Sequence, residues 1–421
     1  MTSTSGGFST NILTRPEDRC RPTSFSSDDE RQIRLINLDS LQVIIGTLAK
    51  STSRQIKAVQ MKNILFVSFA PNHSSCARRL QDVQGAAFSV ESYSTRVDKN
   101  SDTIFKRLIK LTYLPLFVSL LFSKADIIWL WGVDVCFIGS LAKLVRPKLT
   151  IVWDISDINP HLLGNSLKAK VLRQIERLLL SRANWLLLTS PEFHDKYYDS
   201  RVPENKICVI ENYLSASLRE TNSRPLPRLT PFKVVYTGIF RSEKLLRILR
   251  EVAAELGTEV EFHLFGYCSA TVDEKLLEDV ATEPNVTVHG KYAMPDLADI
   301  HAECHLIFGL LDEDADLNER WLLPNRIYQA GAFQRPILAN RKTFTGQTVL
   351  ARHLGTVCDF SVIDVAASIR KMTIRNGEYY HQLLQAIPSD GEYFLDGHYR
   401  RFIERALAET EGPGRTQVRT T

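Results

Sequence analysis

The segment LPNRIYQAGAFQRPILAN, Leu323 to Asn340, carries residues suited to holding an anion. Pro324 suits the first turn of a helix and no later position, because its ring fixes φ and it has no N–H. Asn325 and Arg326 therefore stand at the beginning of a predicted helix, where unpaired backbone N–H groups and the helix dipole favour negative charge. Pro336 ends that helix before a short apolar strand. The segment fits an ordinary helix of an α/β domain equally well.

A second group of candidate residues follows the apolar stretch Phe232–Tyr236. Gly238 is expected to begin a turn, and Arg241 and Lys244 stand where that turn runs into a helix. Backbone N–H groups at the carboxyl end of a parallel strand line a crevice, and two cations there would neutralise a phosphate or diphosphate. The alternative is that both cations are exposed residues of a first helical turn.

Two carboxylates form the third group. Asp154 and Asp157 follow the apolar stretch Leu149–Trp153. At the carboxyl end of a strand, such a pair could deprotonate or orient a substrate hydroxyl group. Either residue could instead cap the following turn, an alternative that weighs more for Asp154 than for Asp157.

The rest of the chain is expected to place these groups at strand ends. Short apolar stretches, typical of buried strands, alternate with helical patterns such as Leu167–Ser181. One series of strands begins with Lys62–Phe69 and a second with Phe232–Tyr236, on either side of the proline-rich linker Thr221–Pro231. The other predicted strands are 127–131, 149–153, 185–189 and 207–210 in the first series, and 260–265, 286–289, 306–310, 337–339 and 355–358 in the second. Two α/β domains follow, each with a doubly wound parallel sheet.

Bulk composition excludes several classes of function. The 421 residues include 52 basic and 48 acidic ones, a balance that does not suggest nucleic-acid binding. The seven cysteines are scattered singly, without the spacing of a zinc site or a disulfide framework. No apolar run reaches the roughly 20 residues that span a bilayer, and the N-terminus lacks the pattern of a signal peptide. We therefore expect a cytoplasmic location.

Together the three groups resemble the retaining glycosyltransferases of the GT-B type, above all glycosyltransferase family 4. Residues 324–337 are similar to that family's P-N-K-x-x-E-Y-x-A-x-G-x-P-V segment. Gly238 to Lys244 match its G-x-x-x-x-x-K pattern, with Arg241 before the lysine. Asp154 to Pro160 resemble its D-x-H-D-x-x-P segment, and Leu264 to Gly266 its L-x-G turn. The resemblance covers about residues 61–407.

The resemblance implies a domain organisation. Residues 1–60 would be a largely disordered N-terminal extension, because residues 1 to about 30 are rich in Ser, Thr, Gly and charge and residues 31–60 contain one predicted amphipathic helix. Residues 61–225 would form a Rossmann-like acceptor domain and residues 226–395 a Rossmann-like nucleotide-sugar domain, facing each other across a cleft. Residues 396–421 would supply a helix that returns to the first domain, followed by a frayed tail.

The resemblance also implies roles for the matched residues. Arg241 and Lys244 would stabilise the departing nucleotide diphosphate, so that neither a metal nor another cofactor is expected. Asp154 and Asp157 would be catalytic residues facing the acceptor. The donor-binding positions would be Gly238, Arg241, Lys244, Gly266, Pro324, Asn325, Arg326 and Gln329.

Three positions depart from the family pattern. Gln329 stands in place of a Glu that hydrogen-bonds the donor ribose, Gln334 in place of a Gly, and Ser156 in place of a His. An amide oxygen still accepts a hydrogen bond, but charge-assisted bonds are roughly twice as strong as neutral ones. These departures favour weakened activity.

The implied activity is transfer of a hexose from a UDP- or GDP-linked donor. The acceptor would be a saccharide or a polyprenyl-diphosphate-linked saccharide, in the biosynthesis of exopolysaccharide, capsule or lipopolysaccharide. Two alternatives stay open: a catalytically weak binding or regulatory protein of the same fold, and a sugar-nucleotide epimerase.

One further segment suggests a membrane contact. Ile104 to Ala125 combines Lys106, Arg107 and Lys110 with a dense apolar run that is too short to span a bilayer. Such a composition suits a segment lying on anionic lipid, here the cytoplasmic face of the inner membrane. The alternative is a buried helix interrupted at Pro115.

Overall fold

The fold is seen in a computed structural model that describes residues 61–68, 74–84, 88–94, 113–221 and 228–410. The predicted N-terminal extension, the residues after 410 and the basic part of the predicted membrane segment lie outside these ranges. Every structural statement below refers to the described ranges.

The first sheet has six parallel strands in the order β2-β1-β3-β4-β5-β6. They are β1 (Lys62–Ser68), β2 (Phe88–Ser94), β3 (Ile127–Trp131), β4 (Thr150–Ile155), β5 (Trp185–Leu188) and β6 (Ile207–Val209). Every residue of β3 and β4 is buried. Helices cover both faces of such a sheet, which is why these strands are continuous apolar runs.

The second sheet is also parallel and six-stranded, in the order β12-β11-β10-β7-β8-β9. Its strands are β7 (Phe232–Phe240), β8 (Val260–Cys268), β9 (Val286–Gly290), β10 (Leu306–Phe308), β11 (Ile337–Asn340) and β12 (Gly355–Cys358). The prediction of two doubly wound parallel sheets is confirmed. The strands predicted around residues 232 and 260 extend several residues further than their apolar stretches indicate.

Helices connect the strands of both sheets, and each sheet together with its helices is called a lobe below. In the first lobe they are α1 (Ser74–Val83), α2 (Tyr113–Phe122), α3 (Val133–Val145), α4 (Pro160–Leu163), α5 (Leu167–Leu180) and α6 (Pro191–Phe193). In the second they are α7 (Glu243–Leu256), α8 (Glu274–Ala281), α9 (Leu297–Ala302), α10 (Leu317–Trp321), α11 (Asn325–Ala332), α12 (Phe344–Ala351), α13 (Val362–Thr373) and α14 (Glu378–Ala386).

The last helix, α15 (His398–Thr410), packs on the first sheet. The ring of Tyr399 stacks on Trp129 with centroids 5.3 Å apart, and Phe402 meets Trp185 edge to face at 5.4 Å. Both carboxylate oxygens of Asp82 accept backbone N–H groups at the beginning of this helix. Helix α15 therefore lies on the sheet that contains β1.

The chain passes between the two lobes twice, near Leu214 and near Leu395, and the two passing segments are hydrogen-bonded to each other. The Leu214 N–H donates to the Tyr393 carbonyl at 2.9 Å, and the Leu395 N–H donates to the Leu214 carbonyl at 2.8 Å. Next to this crossing, Arg352 forms a bidentate ion pair with Glu211 at 2.7 and 2.8 Å. A charged, bidentate pair of this kind fixes geometry as well as adding stability.

Candidate active site

Two glycines pair near the carboxyl ends of β7 and β8. Gly238 and Gly266 pair across the two strands, with φ of 138° and 153°. A Cβ on Gly266 would lie 1.7 Å from the Gly238 carbonyl oxygen, so only glycine fits there. Gly238 thus lies inside a strand and does not begin a turn. The turn comes at Ser242, whose hydroxyl accepts from the Leu245 N–H at 3.2 Å and so caps α7.

Arg241 precedes this cap and reaches across to the first lobe. Its Nη1 lies 3.4 Å from Asp157 Oδ1 and 3.8 Å from Glu319 Oε1. The Asp157 carboxylate, and then that of Glu319, raises the pKa of the guanidinium against the lowering effect of burial. Because Asp157 follows β4 and Arg241 follows β7, the carboxyl ends of the two sheets face each other across a cleft.

Lys244 occupies the first turn of α7 and is also paired. Its Nζ lies 3.0 Å from Asp314 Oδ2 and 3.7 Å from Asp312 Oδ1. The hydrogen bond to Asp314 raises the pKa of the ammonium group. The side chains of Arg241 and Lys244 are each 43% exposed, so solvent or a ligand can reach both.

Asp157 is the carboxylate of the first lobe that faces this cleft. Its side chain is 48% exposed, and its Oδ1 also accepts from Asn318 Nδ2 at 3.2 Å. Asn318 Oδ1 in turn accepts the Ile158 N–H at 2.9 Å. Asn318 of α10 thereby fixes the turn that carries Asp157.

Asp154 does not reach the cleft. Its carboxylate is buried and accepts from Arg79 Nε at 2.7 Å, Arg79 Nη2 at 3.0 Å and Trp129 Nε1 at 3.0 Å. Three donors already bind the two oxygens, which favours a structural role over the predicted catalytic one. Ser156, at the position of the family's His, accepts from Trp131 Nε1 at 2.8 Å.

The beginning of α11 lies beside the same strand ends. Pro324 is at the N-cap position, and the Asn325 side-chain oxygen accepts from Arg78 Nη2 at 3.3 Å. Arg326 is buried, donates from Nη1 to the Thr237 carbonyl at 3.0 Å, and stacks 4.3 Å from the Tyr236 ring. Its Nε–H has no hydrogen-bond partner within the described part of the chain. A Cβ on Gly238 would approach Arg326 Nη1 to 3.0 Å, so this glycine leaves room for the arginine.

With this geometry established, the molecule can be compared with known proteins. No protein-family model matches the sequence. The chain is 26% identical over 228 residues to the succinoglycan biosynthesis protein ExoL of Rhizobium meliloti, a match that covers 52% of this chain and 56% of that protein. The matched region thus spans little more than half of that relative's length.

Two solved structures align over most of the described chain. HepE of Anabaena, crystallised with UDP and glucose, superimposes with a TM-score of 0.60 at 15% identity, covering 83% of this chain and all of that one. A UDP-N-acetylglucosamine 2-epimerase superimposes with a TM-score of 0.54 at 15% identity, covering 84% of this chain and 97% of that one. The chain has the GT-B fold. At these identities the comparison shows the fold alone, which transferases and epimerases share.

In this GT-B molecule, Gln329 lies deeper than the resemblance implies. Its side chain is only 2% exposed, and its Oε1 accepts from the Thr237 hydroxyl at 2.6 Å. The neighbouring His301 is fully buried, which lowers the pKa of its imidazole to about 4. In this arrangement, the Gln329 oxygen is engaged by β7 and is not open to a ribose.

The backbone conformation at Gln334 accounts for the glycine that the family pattern has at this position. Its φ is 50°, in the left-handed region that side chains seldom adopt. Its Nε2 donates to the Gly331 carbonyl at 2.7 Å, a local bond that supports this turn after α11.

Glu319 is a cleft residue that the sequence analysis missed. It is 6% exposed, and burial raises the pKa of its carboxyl to about 7 despite the nearby Arg241 guanidinium. Asp316, three residues earlier, caps α10 by accepting the Glu319 N–H at 2.8 Å. The D-x-x-E spacing of a helix N-terminus was the available signal for this element.

An acidic cluster stands behind Lys244. The carboxylates of Asp312, Glu313 and Asp314 all lie within 4.8 Å of one another. Asp312 Oδ2 accepts from the Ser242 hydroxyl at 2.6 Å, and Asn340 Nδ2 donates to Glu313. The cluster therefore supports the turn after β7.

Proposed function

We propose that this protein is a glycosyltransferase that moves a hexose from a UDP- or GDP-linked donor. The observation that carries the proposal is the placement of Arg241 and Lys244, two accessible cations at the carboxyl end of β7, opposite Asp157. HepE, with the same fold, was crystallised with UDP and glucose. A nucleotide diphosphate suits this site because charge-assisted hydrogen bonds to phosphate oxygens are strong.

The incoming diphosphate displaces the carboxylates that pair with the two cations in the structure. Its oxygens replace Asp157 on Arg241 and Asp314 on Lys244. The two cations then neutralise the charge that develops on the leaving group when the sugar–phosphate bond breaks. No metal is part of this proposal.

Asp157 acts on the acceptor in this scheme. Once Arg241 binds phosphate, the Asp157 carboxylate is free to orient the attacking hydroxyl and to take its proton as the new sugar–oxygen bond forms and the sugar–phosphate bond breaks. Attack on the same face from which the diphosphate leaves would retain the anomeric configuration. Asn318 keeps Asp157 in place through its 3.2 Å hydrogen bond.

The remaining donor contacts come from the second lobe. Gly238 and Gly266 act indirectly: they let β7 and β8 pair closely and leave room for Arg326, and so shape the backbone at the donor site. Helix α11 begins at Asn325, directly after Pro324, and the positive end of its dipole favours the negative charge of a diphosphate. Arg326 contributes its positive charge from beneath the site, since its side chain is buried and its Nε–H lacks a partner among the described residues.

The acceptor is proposed to be a saccharide, free or linked to polyprenyl diphosphate, in surface polysaccharide assembly on the cytoplasmic side of the membrane. The ExoL relative is named as a protein of succinoglycan biosynthesis, which supports a role in polysaccharide assembly. Among the helices that the structure describes, none has both the length and the apolar composition needed to cross a membrane.

A second candidate is a catalytically weak GT-B protein that binds a nucleotide-sugar for regulation. The observation in its favour is the engagement of Gln329 Oε1 by Thr237, which leaves the donor ribose without the family's carboxylate. An epimerase of the same fold is a third candidate.

A panel of UDP- and GDP-hexoses incubated with the purified protein separates these candidates. Slow nucleotide release from at least one donor, as the transfer proposal expects, supports a transferase. Binding of a nucleotide without release supports the regulatory candidate. Formation of a different nucleotide-sugar, with the nucleotide still attached, supports the epimerase.

A further inference from the structure

The first lobe carries most of the exposed large apolar side chains of the described protein. Of the sixteen such side chains, ten lie on α2, α3 and α5. They are Leu114, Val118 and Phe122 on α2, Leu141, Leu144 and Val145 on α3, and Leu167, Val171, Ile175 and Leu178 on α5. Single exposed apolar residues are normal, whereas a concentration of this kind marks an interaction surface.

These three helices form one continuous surface. Helix α3 contacts both α2 and α5, and the inner sides of all three share one hydrophobic core on the same face of the first sheet. Helices α1 and α15 pack against the opposite face of that sheet. The outer sides of α2, α3 and α5 therefore point the same way, and we refer to them as the three-helix face.

Helix α5 is apolar on two sides. Leu179 and Leu180 are buried against the sheet, as expected of the core-facing stripe of a surface helix. Leu167, Val171 and Leu178, at 78%, 51% and 63% exposure, follow a second stripe at helical spacing on the outer side. Core packing does not account for this second stripe, because these side chains face away from the sheet.

The charge of the three-helix face is positive. The exposed basic residues on these helices and the turns that follow them are Lys124, Lys148, Lys168, Lys170, Arg177 and Arg182. The acidic residues of the same helices and turns are fewer and less exposed: Asp126 and Asp134 are half-buried, and Glu176 is buried and accepts a hydrogen bond from Tyr197 at 2.6 Å. A net charge of +4 over the whole chain does not explain this local excess.

We propose that the three-helix face docks on an anionic lipid surface. Apolar side chains surrounded by Lys and Arg suit the boundary between headgroups and acyl chains. A second copy of the chain is a poorer occupant, because a two-fold contact would place the same basic surface against itself. The proposal does not depend on the sugar chemistry.

The face also reaches the edge of the cleft. Asp157 is followed by α4, and α5 begins at Leu167, so the outer stripe begins at the cleft end of the lobe. A protein docked through this face would hold its cleft beside the headgroups. Docking through the three-helix face would extend the membrane contact predicted for residues 104–125 to α3 and α5.

Vesicle flotation of the full-length protein without nucleotide tests this docking. The vesicles contain phosphatidylcholine alone, or equal parts of phosphatidylcholine and phosphatidylglycerol. We expect flotation with the anionic vesicles only, weakened by salt. The double variants Val171→Gln/Leu178→Gln and Lys168→Gln/Lys170→Gln should each lower the partition coefficient about tenfold or more.

The matched control is Ile363→Gln on α13, an apolar residue of the other lobe that is 77% exposed, more than Val171 or Leu178, and this variant should float as the wild type does. Thermal unfolding of each variant verifies that the fold is intact. The proposal is overturned if the wild type does not float, or if both α5 double variants float unchanged. A wild-type dimer in light scattering that Val171→Gln/Leu178→Gln converts to a monomer would assign the face to a second copy and also overturn it.

Discussion

Replacing Asp157 by an asparagine should tighten nucleotide binding while slowing sugar transfer. In the structure Asp157 pairs with Arg241 at 3.4 Å, so a diphosphate must displace it. At this distance the Coulomb attraction is about 1 kcal/mol in water and several times larger in a dry site. Because both side chains are nearly half exposed, at 43% and 48%, the lower end applies, in line with about 0.2–1 kcal/mol for exposed pairs.

The amide that replaces the carboxylate keeps the accepting oxygen that Asn318 needs, so the turn should hold its position. We therefore expect Asp157→Asn to strengthen UDP or GDP binding by up to about 1 kcal/mol, roughly fivefold. Transfer should fall by about 10²-fold or more, the effect of losing a positioned proton acceptor. The opposite signs of the two effects distinguish a competing carboxylate from a structural residue.

Titration calorimetry with UDP and GDP, together with initial rates, provides both quantities. Asp359→Asn is the control, since Asp359 forms a similarly exposed pair with Arg341 at 3.4 Å. Weaker nucleotide binding in Asp157→Asn, or an unchanged transfer rate, would refute the partner exchange.

Three other perturbations test separate parts of the structure. Burial raises the pKa of Glu319 to about 7, above its value of about 4.3 in an unfolded chain, so the folded state holds the extra proton between these values. Stability should then fall as pH rises from about 4 to about 7 and level off above, and Glu319→Gln should reduce this fall by about 1–3 kcal/mol in denaturant titrations across pH. Gln329→Glu should lower the free energy of unfolding by about 1–3 kcal/mol without tightening UDP binding, because it introduces a carboxylate at a buried site. Thermal unfolding measures the change in stability, and titration calorimetry measures UDP binding. A chain that begins at Met61 should unfold cooperatively and bind donor as the full chain does, because β1 begins at Lys62; loss of either property would assign residues before Met61 to the core.

The strands could be predicted from the sequence because a buried strand is visible in its own few residues. A strand covered on both faces, such as β3 or β4, is an uninterrupted apolar run. The strand ends then placed Asp157, Arg241 and Lys244 at the cleft, and the structure brings the first two within 3.4 Å. Which of these residues act in catalysis stays a prediction.

Pairings between distant residues could not be predicted in this way. The burial of Asp154 depends on Arg79, which is 75 residues earlier in the chain, and that of Gln329 on Thr237, 92 residues earlier. The sequence around a carboxylate that follows a strand does not show whether its oxygens are hydrogen-bonded by an arginine or exposed to solvent. The spacing of Asp316 and Glu319 did carry a local signal, but only for the beginning of a helix.

The dependence of nucleotide release on the two cations of α7 and its preceding turn tests the central proposal most directly. The measurement is the rate of release from a donor that the wild type consumes, with Arg241→Ala and Lys244→Ala compared against Arg247→Ala. Arg247 lies on the same helix and pairs with Glu243 in solvent, so it is a matched control. We predict a fall of about 10²–10³-fold for Arg241→Ala and Lys244→Ala, the scale for losing one preorganised charge, with Arg247→Ala unchanged and all three folded. Near wild-type rates in both Arg241→Ala and Lys244→Ala would contradict the assignment of the diphosphate site.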